Sequence, residues 1–185
     1  MDAVKHLSTE ELEAGLKEIN RSPKDNGVLK MIVRRPEVDG REILEVGELD
    51  AEEGLVGDSW RSRGSATGAA NINAQLTLMN ARVIELLSQD EKRWALAGDQ
   101  LFVDLDLSEE TLPPGTRLSL GSAELEVTAL PHTGCKKFVS RFGMDAMNFV
   151  NSEEGKKLHL RGIYTKVVKP GTIRVGDAIR KTQAG

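Results

Sequence analysis

From Val28 onward the chain is cut into short apolar runs by turn residues, and this spacing constrains its fold more than any other feature. VLKMIVRR and REILEVGEL read as strands on either side of a turn at PEVDG. NINAQLTLM (71–79) reads as another strand, and LFVDLDL (101–107) alternates at period two, the mark of a half-buried strand. TRLSLG and AELEVTAL predict a hairpin across Gly121-Ser122, and LHLRGIYTKVV and TIRVGDAIRK close the chain as strands. PPGTRLSLG (113–121) and KPGTIRVGD (169–177) each set Pro-Gly before a strand, the pair that suits the centre of a type II turn. Many short strands and few helices predict a mainly β fold, a barrel or strongly bent sheet with a few short peripheral helices.

Three segments read as helix. Ser8 followed by Glu11 is a capping-box pattern, and Leu12, Leu16 and Ile19 share one helical face. RSPKDNG ends that helix, so residues 1–27 are expected to form an N-terminal helical appendage packed on a main body at 28–185. Asn80 is placed to cap a helix carrying Val83, Ile84 and Leu87, and Gly143–Val150 is a short helix.

Length and charge narrow the function classes. The 185 residues suffice for one domain with a sizeable core, and the net charge of -4 without a basic tract disfavours nucleic-acid or membrane-surface binding. No apolar run reaches membrane-spanning length, and MDAVKHLSTEELEAG lacks the apolar core of a secretory signal. One cysteine allows no internal disulfide, so the expected location is cytoplasmic.

That cysteine, Cys135, lies in PHTGCKKF with His132, Lys136, Lys137 and Arg141 nearby in sequence. Positive neighbours favour a reactive thiolate, whereas a free cysteine is as often a small buried apolar filler; both readings stand. His132 could activate the thiol, orient a substrate or form a loop hydrogen bond, the last being the simplest. A zinc site is not indicated, since one cysteine and three scattered histidines (His6, His132, His159) do not make a closed ligand set. In the polar stretch 54–70, with Asp58, Trp60, Arg61 and Arg63, a solvated loop is the default and anion binding by the arginines the alternative. Arg161 sits inside a strand pattern before Gly162, where a glycine marks a bulge or close backbone approach that could aim Arg161 into a site.

The run EVTALPHTGCKKF … LHLRGIYTKVVKPGTIRVGDAI resembles the MOSC domain, the module named after the C-terminal part of molybdenum-cofactor sulfurase. The shared features are a strand, Cys135 in a loop, the LRG strand at Leu160–Gly162 and the closing G-x-x-x-x-GD at Gly171–Asp177. Upstream, GLVGD (54–58), QLTLMNARV and GDQLFVDLDL are similar to small stand-alone members, so the resemblance covers roughly Val28 to Arg180.

The resemblance implies a barrel with the cysteine at a cleft. It makes Cys135 a sulfur carrier or a molybdenum ligand, and matches Asp58 and Arg161 to family positions. His132 and Lys136 join Cys135 as catalytic candidates from local chemistry, and Arg63 and Arg161 are candidates for the pterin phosphate. The first expectation is a carrier that receives sulfane sulfur on a Cys135 persulfide from a pyridoxal-phosphate-dependent desulfurase and passes it to a cofactor or metalloenzyme. The second is a component that binds molybdenum cofactor and reduces N-hydroxylated substrates with electrons from elsewhere. The third is a non-catalytic binding module with a structural cysteine.

Overall fold

In the computed structural model, residues 4–64 and 68–182 are described. Eleven strands and five α-helices are present among them. The strands are β1 (Gly27–Arg34), β2 (Glu42–Leu44), β3 (Val46–Asp50), β4 (Gly54–Leu55), β5 (Leu76–Asn80), β6 (Leu101–Asp104), β7 (Arg117–Leu120), β8 (Ala123–Val127), β9 (Ile163–Lys169), β10 (Gly171–Arg174) and β11 (Ala178–Lys181). The helices are α1 (Thr9–Ile19), α2 (Ala81–Ser88), α3 (Lys136–Phe142), α4 (Met144–Asn151) and α5 (Glu153–Lys157), with 3₁₀ segments at Ile72–Ala74 and Glu91–Ala97.

Seven strands close into a barrel in the order β1-β6-β5-β9-β8-β7-β11, with β11 returning to β1 at Gly27–Ile179 and Val28–Ala178. Closure leaves no free edge among these seven. All neighbours are antiparallel except β5 and β6. A smaller sheet, β10-β3-β4, contributes Leu49, Leu55 and Ile173 to the barrel core.

A second apolar cluster lies outside the barrel, under the helices. Strands β1, β5 and β6 run between the two. Leu29, Ile32, Leu101 and Val103 face the barrel interior, while Met31, Val33 and Phe102 face the helices. The expected half-buried alternation over 101–107 therefore fails: Leu101, Phe102 and Val103 are all buried, and the strand stops at Asp104. Strands β7, β8 and β9 have one solvated face and do alternate.

The two helices with sequence caps form as expected. Ser8 accepts from Glu11 N while Glu11 returns to Ser8 N at 2.8 Å, completing the capping box of α1. Leu12 of α1 is fully buried, and Asn80 caps α2 through Arg82 N.

Other expectations need correction. REILEVGEL breaks at Glu45 into two strands that belong to different sheets. NINAQLTLM starts as a 3₁₀ turn capped by Asn71 and becomes a strand only at Leu76. Gly115 has the positive φ (+90°) of a Pro-Gly turn, whereas Gly171 does not and begins β10; its missing side chain lets the Ser122 backbone approach. Leu158–Gly162 is not strand: β9 starts at Ile163, after a turn in which His159 has φ 50°.

Candidate functional site

The end of β1 lies beside the start of β6 through Ile32–Leu101, and Leu101 lies beside Leu78 of β5, which pairs with Ile163 at the start of β9; Val127 at the end of β8 pairs with Thr165. Arg35 directly follows β1, Asp58 follows β4, Asp99 and Arg161 each lie two residues before a strand, His132 lies in the loop between β8 and α3, and Tyr164 is the second residue of β9. The resulting cleft is lined by Arg35, Trp60, Arg63, His132, Arg161 and Tyr164 among others.

Asp58 is wholly buried and carries the densest hydrogen bonding. It accepts from Arg35 Nε (2.9 Å), Arg35 Nη2 (2.8 Å), Arg35 N (2.8 Å) and Trp60 N (2.9 Å). Burial pushes its carboxyl up, but the Arg35 hydrogen bonds and charge outweigh this and hold it below the usual carboxylate range. Asp58 therefore acts by fixing Arg35, which was not among the sequence candidates. The default of a solvated loop over 54–70 fails at Gly54–Ser59, since Gly54, Leu55 and Ser59 are buried. Ser65, Ala66 and Thr67 of that stretch lie outside the described residues.

Four arginines converge on the end of the 3₁₀ segment Glu91–Ala97. Arg41 Nε donates to Ala95 O (3.0 Å), Arg141 Nη1 to Leu96 O (2.6 Å), Arg161 Nη2 to Ala97 O (2.9 Å) and Arg35 Nη1 to Gly98 O (2.8 Å). Carbonyls at a helix end lack onward partners and form its negative pole, which draws guanidinium groups to them. Each arginine is thus anchored by an uncharged acceptor, and Arg35, Arg161 and Arg141 are also paired with Asp58, Asp99 and Asp39. Burial, then the charges of Arg141 and Arg35, lower the Arg41 guanidinium; burial and Arg35 do the same to Arg63. These groups repel one another, and an anion among them would relieve that repulsion.

Behind them lies a buried trio. Asp99 is wholly buried, and its Oδ2 accepts from Arg161 Nη1 at 2.7 Å. The Arg161 guanidinium also lies over the Phe138 ring, 5.0 Å from its centroid. Asp99 Oδ1 and His132 Nδ1 face each other at 3.7 Å, and both are buried without a hydrogen-bond partner, as is Arg161 Nε. The expected loop hydrogen bond of His132 is thus not formed by Nδ1. Burial, then the Arg161 charge, pushes His132 down to about 3, so its imidazole is neutral. Its ring lies 4.5 Å from that of Tyr164, whose phenol burial raises. Gly162, at φ 111°, makes room: a Cβ there would sit 2.4 Å from Leu78 O and 3.3 Å from His132 Nδ1.

Cys135 is exposed and stands at the N-cap of α3 with no side-chain capping bond. Its loop is fixed from below, where Gly134 N donates to Asn151 Oδ1 at 3.0 Å. Cys135 follows the cleft-lining His132 by three residues but is itself a lining residue of neither the cleft nor the adjoining cavity. Lys136 is exposed on the first turn of α3 and lines neither this cleft nor the adjoining cavity. The site thus brings together His132, Arg63 and Arg161, with Asp58 behind them through Arg35, while Cys135 is exposed on the loop that continues from His132. Sequence reasoning missed Arg35, Asp99 and Tyr164; the one signal for Asp99 was a carboxylate two residues before the apolar run of β6. Among the described residues no three His, Cys, Asp or Glu side chains converge as a metal site, and no helix is long and apolar enough to cross a membrane.

The family model of the MOSC domain matches residues 73–180. The chain belongs to this family of molybdenum-cofactor-related domains. No curated protein matches it. Among solved structures it is similar to the YuaD protein from Bacillus subtilis, at 16% identity and TM-score 0.57 over 85% of this chain and 97% of that one. YiiM from Escherichia coli is similar at 16% identity and TM-score 0.56, over 85% of this chain and 71% of that one. YiiM from Geobacillus stearothermophilus gives 13% and 0.54, over 86% and 74%. These likenesses speak for the fold.

Proposed function

We propose that the protein binds molybdenum cofactor in the arginine cleft, with Cys135 as thiolate ligand of the metal, and serves as the cofactor-bearing component of an oxidoreductase. One observation carries this reading: guanidinium groups are anchored on consecutive carbonyls around a cleft lined by His132, and the exposed thiol of Cys135 lies three residues further along the same loop. The donor set fits the group. A pterin phosphate suits guanidinium contacts from Arg63 and from the remaining N–H groups of Arg35 and Arg161 that Asp58, Asp99 and the carbonyls of Ala97 and Gly98 do not take, and arginines already held in place lose little entropy on binding. When bound, the cofactor supplies a molybdenum centre that exchanges an oxygen atom and an electron pair with a substrate. Asp58 keeps Arg35 from swinging away, Asp99 does the same for Arg161, and neutral His132 adds no charge to an already cationic wall.

The exposure of Cys135 also favours a second reading, a carrier loaded with sulfane sulfur by a pyridoxal-phosphate-dependent desulfurase. Expression in a cofactor-competent host separates the two. Binding predicts molybdenum and phosphorylated pterin in near-equal amounts with the chain, and loss of both in a double Arg35→Leu, Arg63→Leu variant. A folded protein with neither metal nor pterin would overturn the reading. A reductant-labile gain of one sulfur atom on Cys135, absent in Cys135→Ser, would then establish the carrier.

A further inference from the structure

One loop, residues 128–135, joins the arginine cleft to the thiol as the chain runs from β8 to α3. Its fixed points are few. Thr128 N donates to Tyr164 O at 3.0 Å where the loop leaves the barrel. The buried His132 ring rests against that of Tyr164. From Ala129 to Gly134, among the described residues, the one hydrogen bond runs from Gly134 N to Asn151 Oδ1, at 3.0 Å. A surface loop with so little hydrogen bonding falls at the mobile end of a structure, so this bond largely decides how firmly the residue after it is held.

Asn151 is the last residue of α4. A backbone N–H only donates, so the amide oxygen is the atom turned to Gly134, and Nδ2 points one turn back to Met147 Sδ at 3.4 Å. Both ends of the side-chain amide are therefore occupied. Gly134 lies close against the same helix: a Cβ there would sit 2.6 Å from Met147 Sδ and 3.5 Å from side-chain carbons of Phe138 and Val150. Helix α4 is itself well seated. Ala146, Phe149 and Val150 are buried, and Asp145 Oδ2 accepts from Thr9 N of α1 at 3.0 Å. A packed helix thus holds, by one side chain, the residue next to the thiol.

We propose that Asn151 is a positioning residue that holds the Cys135 loop in a set place relative to the arginine cleft, so that one ligand can reach both. Ordering the backbone of a residue costs about 1–2 kcal/mol, and a loop fixed beforehand spares a ligand that cost. The inference rests on the cofactor reading for what the thiol is held towards. The holding itself is measured on cofactor-free protein, so each can fail alone.

The first measurement is backbone ¹⁵N relaxation of the cofactor-free wild type, Asn151→Ala, Asn151→Asp and Asn148→Ala. Asn148→Ala, at an exposed position of α4, controls for a general loosening of the helix. Order parameters at Thr133, Gly134 and Cys135 are expected near about 0.85 in the wild type and below about 0.6 in Asn151→Ala. Asn151→Asp, which keeps an acceptor for Gly134 N, and Asn148→Ala are expected to match the wild type. The second measurement is molybdenum retained per pterin after expression in a cofactor-competent host. Asn151→Ala is expected to hold its metal about ten- to a hundred-fold more weakly, with pterin kept and Asn151→Asp restoring the metal. Unchanged order parameters in Asn151→Ala, the same fall in Asn148→Ala, or equal metal retention in wild type and Asn151→Ala would each overturn the proposal. A wild type without metal would sink the cofactor reading instead, and the relaxation data alone would then decide whether Asn151 holds the loop.

Discussion

At the scale of residues, the site depends on charges withdrawn from water and matched to one another. Arg161 and Asp99 are both buried and pair through Nη1 and Oδ2, while Arg161 Nε and Asp99 Oδ1 have no partner. Arg161→Leu leaves Asp99 as an uncompensated charge and is expected to destabilise the fold by about 3–5 kcal/mol in urea unfolding. His132 gives a pH signature. Its folded value of about 3 lies below its ordinary 6.5, so between these the unfolded chain binds more protons than the folded one. Stability is full above pH 6.5 and falls as pH drops towards 3, by up to about 4 kcal/mol. In His132→Gln, this part of the stability-against-pH curve is expected to flatten, as read by denaturation midpoints at stepped pH.

At the scale of elements, the glycine that precedes β9 decides how close that strand comes to β5. Gly162→Ala drives a methyl group into Leu78 O at a φ of 111°, and is expected to cost about 3 kcal/mol in stability. Helix α1 is packed against α2 and α4. Leu12→Ala, in a fully buried position of α1, is expected to lower stability by about 2–5 kcal/mol in a single unfolding transition. What was legible in the sequence follows from the range of the forces involved. The capping box at Ser8 and the Asn80 cap act over three residues, and both were read correctly. The turn at Gly121 lies in a hairpin whose two strands each alternate, so it was legible too. Strand β6 was misread because its outer face is covered by helices distant in sequence, which removes the polar half of the alternation. Helix α3 carries Phe138 and Phe142 inward among basic residues, too short a period to stand out.

At the scale of the whole molecule, a barrel closed by seven strands holds loops from distant parts of the chain at one end. Arg35, Asp58, Asp99, His132 and Arg161 are far apart in sequence, so no local pattern could announce their convergence. Cys135 and its basic neighbours were visible because they are contiguous. Their link to the carbonyls of 95–98 was not, since it requires the folded positions of four separate arginines. On a chain of net charge -4, the guanidinium groups gathered here outnumber the carboxylates Asp39, Asp58 and Asp99 that pair with three of them, and Arg41 and Arg63 supply the excess positive charge that suits an anion. The central claim, that the cleft and the thiol serve a single cofactor, is tested most directly by molybdenum-edge X-ray absorption of the loaded protein beside Cys135→Ser. The account predicts that the wild type shows one more sulfur neighbour on molybdenum than the variant, with pterin retained in both. Identical sulfur shells in the two proteins would contradict it.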